Sequence, residues 1–174
     1  MKFDSFVKVR GSQGILVSAW ADANHLSLDQ VATAEKSNEI TAIPKLLKLL
    51  ELKGCIVTIN AMGCQKAITE QIVAKGADYV LAVKENQPHL HEAREEYFET
   101  AKAAHFQDLQ VNLIDQIDAG HGRYEVRRYR LVNALSTLPD PHAGAGLRGI
   151  GLVETEHHEG GRISREHRYY ITIR

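Results

Sequence analysis

Two groups of polar residues directly follow apolar stretches that have the length of a buried strand. Asn60 follows residues 55–59. The group after residues 79–83 consists of Lys84, Asn86 and Gln87. In α/β folds, residues that bind ligands or carry out reactions collect where strands end. The Asn60 amide offers a carbonyl oxygen without negative charge, whereas Lys84 offers a positive charge to an anion. A site for binding or catalysis is therefore expected at these two strand ends.

The spacing of apolar residues predicts the elements that position these groups. They are strands at 15–21 and 31–34, a helix up to Gly54, a strand at 55–59, a helix at about 64–75, a strand at 79–83 and a helix at about 88–104. Ser37 or Asn38 is expected to cap the first helix, which tolerates Pro44 early. Strands that are almost entirely apolar favour a sheet covered by helices, with a parallel right-handed crossover from 55–59 to 79–83.

The apolar period changes from helical to alternating after residue 106. Alternation around residues 111–113, 124–131, 150–152 and 163–173 predicts antiparallel strands, and Gly160 and Gly161 predict a hairpin turn between the last two. We therefore predict an α/β unit over residues 1–104 and a β-rich unit over residues 105–174.

Composition restricts the class of protein. The chain has 174 residues, 44% of them apolar and 25% charged, which is ordinary for a globular protein and argues against disorder. The longest apolar stretches are far shorter than the roughly 20 residues of a membrane helix, so no span is predicted. The first residues do not resemble a secretory signal, and a cytoplasmic location is expected. Cys55 and Cys64 are expected to be reduced and to serve in packing.

Positive charge is concentrated towards the carboxyl end. Residues 120–174 contain nine arginines, no lysine and six acids. Arginines interleaved with tyrosines are compatible with nucleic-acid binding, because a guanidinium group contacts phosphate bidentately and stacks on aromatic rings. The alternative is that these arginines form the solvated faces of hairpin strands, and composition leaves both interpretations open.

Several segments, in order along most of the chain, resemble the bacterial H-repeat-associated insertion-sequence transposases. They are residues 16–21, 35–44, 54–65, 78–87, 120–123 and 168–171. The resemblance implies an α/β fold, a ribonuclease-H-like mixed sheet flanked by helices, with a β-rich antiparallel insertion in the carboxyl third. It also implies a DNA transposase of the DDE type, of which this chain is a central fragment.

In this family three carboxylates hold two Mg²⁺ ions that promote displacement at phosphorus. The second family aspartate matches Asn60, where this chain has an amide. Asp4 is the candidate for the first aspartate and, with Asn60, for the metal site, although the family's Asp-Gly-Lys word is missing around it. The third acid has no counterpart. The chain is therefore expected to be incomplete and inactive, with Mg²⁺ bound weakly or not at all.

The resemblance also implies DNA, both transposon ends and target, as the partner. Candidate DNA contacts are Lys84, Asn86, Gln87, His121, Arg123 and Arg127. Structural alternatives are a helix-capping turn at residues 84–87 and a flexible strand connection at residues 120–123. The alternative function is a non-catalytic DNA-binding or assembly remnant of a transposase, and a sheet edge left unpaired would favour a homodimer.

Overall fold

The computed structural model describes residues 5–11, 14–21, 25–33, 39–120, 123–133 and 144–173, and the strands within these ranges form two sheets. The strands are β1 (Ser5–Gly11), β2 (Gly14–Ala21), β3 (Leu26–Thr33), β4 (Ile56–Ile59), β5 (Asp78–Val83), β6 (Val111–Gly120), β7 (Arg123–Asn133), β8 (Gly149–Glu159) and β9 (Arg162–Thr172). The helices are α1 (Glu39–Leu49), α2 (Lys66–Ala74) and α3 (Pro88–Ala103), and a short 3-10 helix covers Ala61–Gly63.

The smaller sheet is an antiparallel meander in the order β1-β2-β3. α1 packs against β2 and β3, and β1 lies beside β4. The strand predicted at residues 15–21 is confirmed as β2. The strand predicted at 31–34 starts five residues earlier, at Leu26, and β1 was not predicted from the sequence.

The helix and strand alternation in the middle of the chain is confirmed. β4 and β5 pair in parallel, and α2 connects them. The first helix ends at Leu49, earlier than predicted. Gly54 instead lies in the turn before β4 with a φ of 73°, a left-handed conformation that suits glycine. The predicted caps Ser37 and Asn38 lie outside the described residues.

The larger sheet is mixed and has the order β4-β5-β9-β8-β7-β6. β9, the last strand of the chain, pairs antiparallel with β5 and with β8. The hairpin turn predicted at Gly160 and Gly161 joins β8 to β9, with both glycines at positive φ. The unit boundary at residues 104 and 105 stays a prediction, although strands from both sides of it share this sheet.

One face of the larger sheet is covered by α3, and we call it the helix face. Tyr169 of β9 points to this face, where its ring stacks on Phe98 of α3 with centroids 6.0 Å apart. Along β5, Tyr79, Leu81 and Val83 are buried, whereas the intervening side chains are only partly buried. Side chains one position away in each strand point to the opposite face, which we call the back face.

The buried side of α3 contains a charged residue. Leu90 and Phe98 are buried, whereas Ala93 and Tyr97 are only half-buried. The fully buried side chain between them is Arg94. Both cysteines are buried and form no disulfide. None of the described helices has the length and apolar character needed to cross a membrane.

Two buried tyrosines give a paired test of this packing. Tyr79→Phe should lower the free energy of unfolding by about 1 kcal/mol, because the Tyr79 hydroxyl donates a hydrogen bond to the Ala145 carbonyl (3.1 Å). Tyr169→Phe should leave it unchanged or raise it by up to about 1 kcal/mol, because the buried Tyr169 hydroxyl has no partner among the described residues. Chemical denaturation of both variants measures the difference. Equal losses would contradict this assignment of the two hydroxyl groups.

Candidate functional site

The two polar strand ends lie at the same edge of the larger sheet. β4 and β5 run in parallel with Ile59 opposite Leu81, so the residues that follow them leave the sheet on the same side. Nδ2 of Asn86 donates a hydrogen bond to the carbonyl oxygen of Ala61 (3.0 Å) and so ties the loop after β5 to the loop after β4. The parallel pairing predicted for the two strands is therefore confirmed, and it brings Asn60 and the group at residues 84–87 to one edge.

Asn60 is positioned by its backbone and leaves its side chain exposed. Its φ of −64° and ψ of 172° are extended, and its carbonyl oxygen accepts a hydrogen bond from the Gly63 amide (2.9 Å). The side chain makes no capping hydrogen bond to the 3-10 helix that follows. The amide group is therefore presented to solvent at the end of β4.

Gly63 keeps this loop close to the core. A Cβ atom at this position would lie 2.2 Å from Cγ2 of Ile59 and 3.2 Å from Cδ1 of Ile43. Both neighbours are buried and cannot move far without disturbing the packing around β4. The direction in which the chain leaves β4 thus depends on the absence of a side chain at residue 63.

Cys64 directly follows the short 3-10 helix after β4, and its side chain is buried and not available as a nucleophile. Burial raises the pKa of the Cys64 thiol to about 11, and the charge of the buried Arg94 offsets part of that increase. The thiol is therefore protonated at neutral pH, whereas the nucleophilic form of cysteine is the thiolate. Its role in this structure is packing, as the sequence analysis predicted.

A cleft of about 530 Å³ lies beside the end of β5. It is lined by Ala61, Ala82, Val83, Lys84, Glu85, Asn86, His91, Glu166, His167 and Arg168. Nε and Nη2 of Arg168 donate hydrogen bonds to Oε1 and Oε2 of Glu166 (2.8 and 2.9 Å). These bonds hold the pKa of Glu166 below its usual value, and the Lys84 charge acts in the same direction. Lys84 and Arg168 thus share the cleft with the side chains of Glu85 and Glu166.

Two other residues predicted to contact DNA, Gln87 and Arg127, do not line this cleft. Gln87 begins α3 as its N-cap residue, and its carbonyl oxygen accepts a hydrogen bond from the His91 amide (2.9 Å). This agrees with the capping alternative for residues 84–87.

Arg127 lies on β7, two strands away from β9, and forms an ion pair with Glu125. The backbone of Arg123 begins β7. Asp4 and His121 lie outside the described residues.

Five arginines of the carboxyl third are paired with acids within the sheet. The pairs are Arg127 with Glu125, Arg128 and Arg165 with Glu156, Arg130 with Asp115, and Arg168 with Glu166. Sequence reasoning missed Arg168 and Glu166 as cleft residues. The closely spaced Arg165, Glu166 and Arg168 of β9 were a visible signal, but only the pairing of β9 with β5 places Glu166 and Arg168 beside Lys84.

The described residues do not fit a pair of Mg²⁺ ions. Within the ranges that the structure describes, no group of three or more His, Cys, Asp and Glu side chains is placed to hold a metal ion. Mg²⁺ is usually bound through carboxylates, and Asn60 supplies a neutral amide oxygen instead. Glu166, a carboxylate in the adjacent cleft, is already bound by Arg168. The metal role predicted for Asn60 and Asp4 has no support here and stays a prediction.

Gly63→Ala should lower the free energy of unfolding by about 1–3 kcal/mol, because the added methyl group overlaps Ile59 in a packed region. Gly120→Ala is the control. A Cβ atom there would have no neighbour within 4 Å, and we expect a change below about 0.5 kcal/mol. Thermal and urea unfolding measure both variants. A Gly63→Ala protein as stable as the control would contradict the close contact with Ile59.

Comparison with known proteins identifies relatives of the chain. The family model described as "Transposase DDE domain" matches residues 7–170. A Xanthobacter autotrophicus protein described as "Uncharacterized protein in dhlA 3'region" is 38% identical over 166 residues, which is 94% of this chain and 55% of that protein. No solved structure matches the chain.

Two proteins of Escherichia coli strain K12 are also similar. "Putative transposase YncI" is 46% identical over 123 residues, covering 71% of this chain and 48% of that protein. "H repeat-associated putative transposase YhhI" is 40% identical over 125 residues, covering 72% of this chain and 32% of that protein. The chain thus spans between 32% and 55% of the length of these three relatives. Because the family model covers residues 7–170, the chain belongs to the family of transposases with a DDE domain.

Proposed function

We propose that this chain acts on DNA in transposition as a DNA-binding member of the DDE transposase family, and that Asn60 leaves it without metal-dependent strand cleavage. The observation that carries the proposal is the exposed amide at the end of β4, at the position that the family resemblance assigns to a catalytic aspartate. The proposal combines the two hypotheses drawn from the sequence, which are a transposase of the DDE type and a DNA-binding protein without catalysis.

The absence of charge at residue 60 is the reason to expect no cleavage. The family implies a divalent metal, which stabilises the negative charge that develops during displacement at phosphorus. An amide oxygen at Asn60 does not neutralise a divalent cation as a carboxylate does, so both the affinity for metal and the electrostatic stabilisation should fall. Within the described ranges, no group of three or more His, Cys, Asp and Glu side chains is placed to hold a metal ion in its stead.

DNA binding is supported by the groups that remain at this edge of the sheet. Lys84 is exposed at the mouth of the cleft, and the hydrogen bond from Asn86 to Ala61 holds its loop beside β4. Cations and amide groups on a rigid loop are typical contacts to the DNA backbone, which position the duplex without reading its sequence. Transposon ends and target DNA are the proposed partners. A homodimer and a location in the bacterial cytoplasm, at the nucleoid, stay predictions.

Asn60→Asp should create measurable affinity for divalent metal. We expect Mn²⁺ to bind this variant about tenfold or more tightly than the natural chain, because a carboxylate replaces an amide at a strand end. Isothermal titration calorimetry with Mn²⁺ measures the change. Asn112→Asp is the matched control, because it adds the same charge at an exposed position on β6.

A supercoiled-plasmid nicking assay with Mg²⁺ or Mn²⁺ completes this test. The natural chain should not nick the plasmid, whereas Mn²⁺-dependent nicking by Asn60→Asp alone would assign the loss of cleavage to residue 60. Efficient nicking by the natural chain would contradict the proposed loss. Equal Mn²⁺ affinities of Asn60→Asp and Asn112→Asp would contradict the special role of the end of β4.

Lys84→Gln should weaken binding to duplex DNA about three- to tenfold at low salt, and the dependence of affinity on salt should become shallower by about one phosphate contact. Fluorescence anisotropy titrations with and without Mg²⁺ measure this, and Mg²⁺ is expected to make no difference. Lys45→Gln, at an exposed position on α1, is the control and should change little. An absence of binding by the natural chain at low salt would contradict the proposed DNA function.

A further inference from the structure

We propose that Arg168 and Lys84 form a phosphate-binding site in the cleft beside Asn86, and that Glu166 competes with phosphate for Arg168. The inference rests on the proposed function for its ligand, which is a phosphate group of the DNA backbone. It goes beyond that function because it names Glu166 as the group within the protein that lowers the affinity for phosphate.

The contact between Arg168 and Glu166 has the geometry of arginine bound to phosphate. Nε and Nη2 of the guanidinium group face both carboxylate oxygens, at 2.8 and 2.9 Å. A phosphate group presents two oxygens in a similar arrangement, so it can take the place of the carboxylate in the same fork. Glu166 therefore occupies the position in which a phosphate would be held.

The pair is exposed enough for this exchange to occur. The Arg168 side chain is 52% exposed and the Glu166 side chain 42% exposed. Ion pairs on the surface contribute little to stability and weaken further with salt, because water solvates both partners well. Glu166 can therefore turn towards solvent at small cost when another anion reaches Arg168.

The cleft supplies a second cation on the same side. Lys84 follows β5 directly, and its charge contributes to the low pKa of Glu166, which places the ammonium group within electrostatic reach of that carboxylate. While Glu166 stays in place, it and Glu85 balance Lys84 and Arg168. Once Glu166 turns away, both cations face the incoming anion.

The other paired arginines do not share these features. Arg128 and Arg165 are held by the same carboxylate, Glu156, whose side chain is only 19% exposed. Arg130 is itself 14% exposed and is bound to Asp115 of the edge strand β6. Among the arginine and acid pairs that the described residues form, the pair of Arg168 and Glu166 is the one that lines the cleft at the end of β5.

The test compares Glu166→Gln, Arg168→Gln and Arg168→Lys with the natural chain. Asp115→Asn is the matched control, because it removes the same charge beside an arginine on the helix face. Affinity for duplex DNA is measured by fluorescence anisotropy at low and moderate salt. Inorganic phosphate is titrated separately while NMR follows the imidazole signals of His91 and His167, which line the cleft.

We expect Glu166→Gln to bind DNA about three- to tenfold more tightly at low salt, Arg168→Gln to bind it more weakly by a similar factor, and Asp115→Asn to stay within about twofold of the natural chain. Arg168→Lys should fall between, because lysine keeps the charge but loses the fork. Phosphate should shift the His91 signal at a lower concentration in Glu166→Gln than in the natural chain. Circular dichroism shows that each variant is folded.

The outcomes separate the inference from the proposed function. DNA binding by the natural chain that neither Glu166→Gln nor Arg168→Gln alters, with no effect of phosphate on His91, would overturn the cleft assignment and leave DNA binding intact. A His91 shift that Glu166→Gln strengthens, with no binding of DNA by any variant, would support a site for free phosphate and contradict the DNA proposal. If Glu166→Gln and Asp115→Asn raised the affinity for DNA equally, the change in net charge would explain the effect, and the inference would be overturned.

Discussion

The parallel pairing of β4 with β5 is the constraint on which the candidate site depends. In a parallel pair both strands leave the sheet at the same edge, so Asn60 and Lys84 lie at one edge although 24 positions separate them in the sequence. The crossover through α2 makes this pairing possible, and the buried side chains of Tyr79 and Leu81 fix its register. The hydrogen bond from Asn86 to Ala61 can form only because the two strand ends are held at this spacing.

The position of β9 adds the charges to this edge. Because β9 runs antiparallel to β5 and its Tyr169 lies opposite Val83, the residues that precede Tyr169 extend past the end of β5. Arg168 and Glu166 therefore stand beside the loop that begins at Lys84. A parallel β9 would have directed its preceding residues towards the opposite end of the strand. The cleft thus depends on strand direction. The antiparallel β9, from the end of the chain, lies beside the loop that follows β5.

Local features of the structure could be predicted from the sequence, and long-range features could not. The apolar runs of β4 and β5 and the glycines of the last hairpin depend on neighbouring residues, so β4, β5, α2, α3 and the β8–β9 turn were predicted with small errors at their ends. β1 was missed although Val7, Lys8, Val9 and Arg10 alternate between apolar and charged residues, as is typical of a half-buried strand. The burial of Arg94 and the position of Arg168 and Glu166 beside Lys84 depend on which elements meet, and the residue pattern carries no such information.

The amide at residue 60 and the balanced charges of the cleft have linked consequences for DNA binding. A site with carboxylates and divalent metal binds phosphate mainly through the metal, and protein cations play a secondary role. If Asn60 removes that contribution as proposed, the attraction for phosphate falls to side chains such as Lys84 and Arg168, which are exposed and therefore sensitive to salt. Glu166 then matters more than it would beside a metal ion, because it neutralises one of the few cations at this edge. If the chain binds DNA as proposed, its affinity is set by the competition between a carboxylate and a phosphate for one guanidinium group.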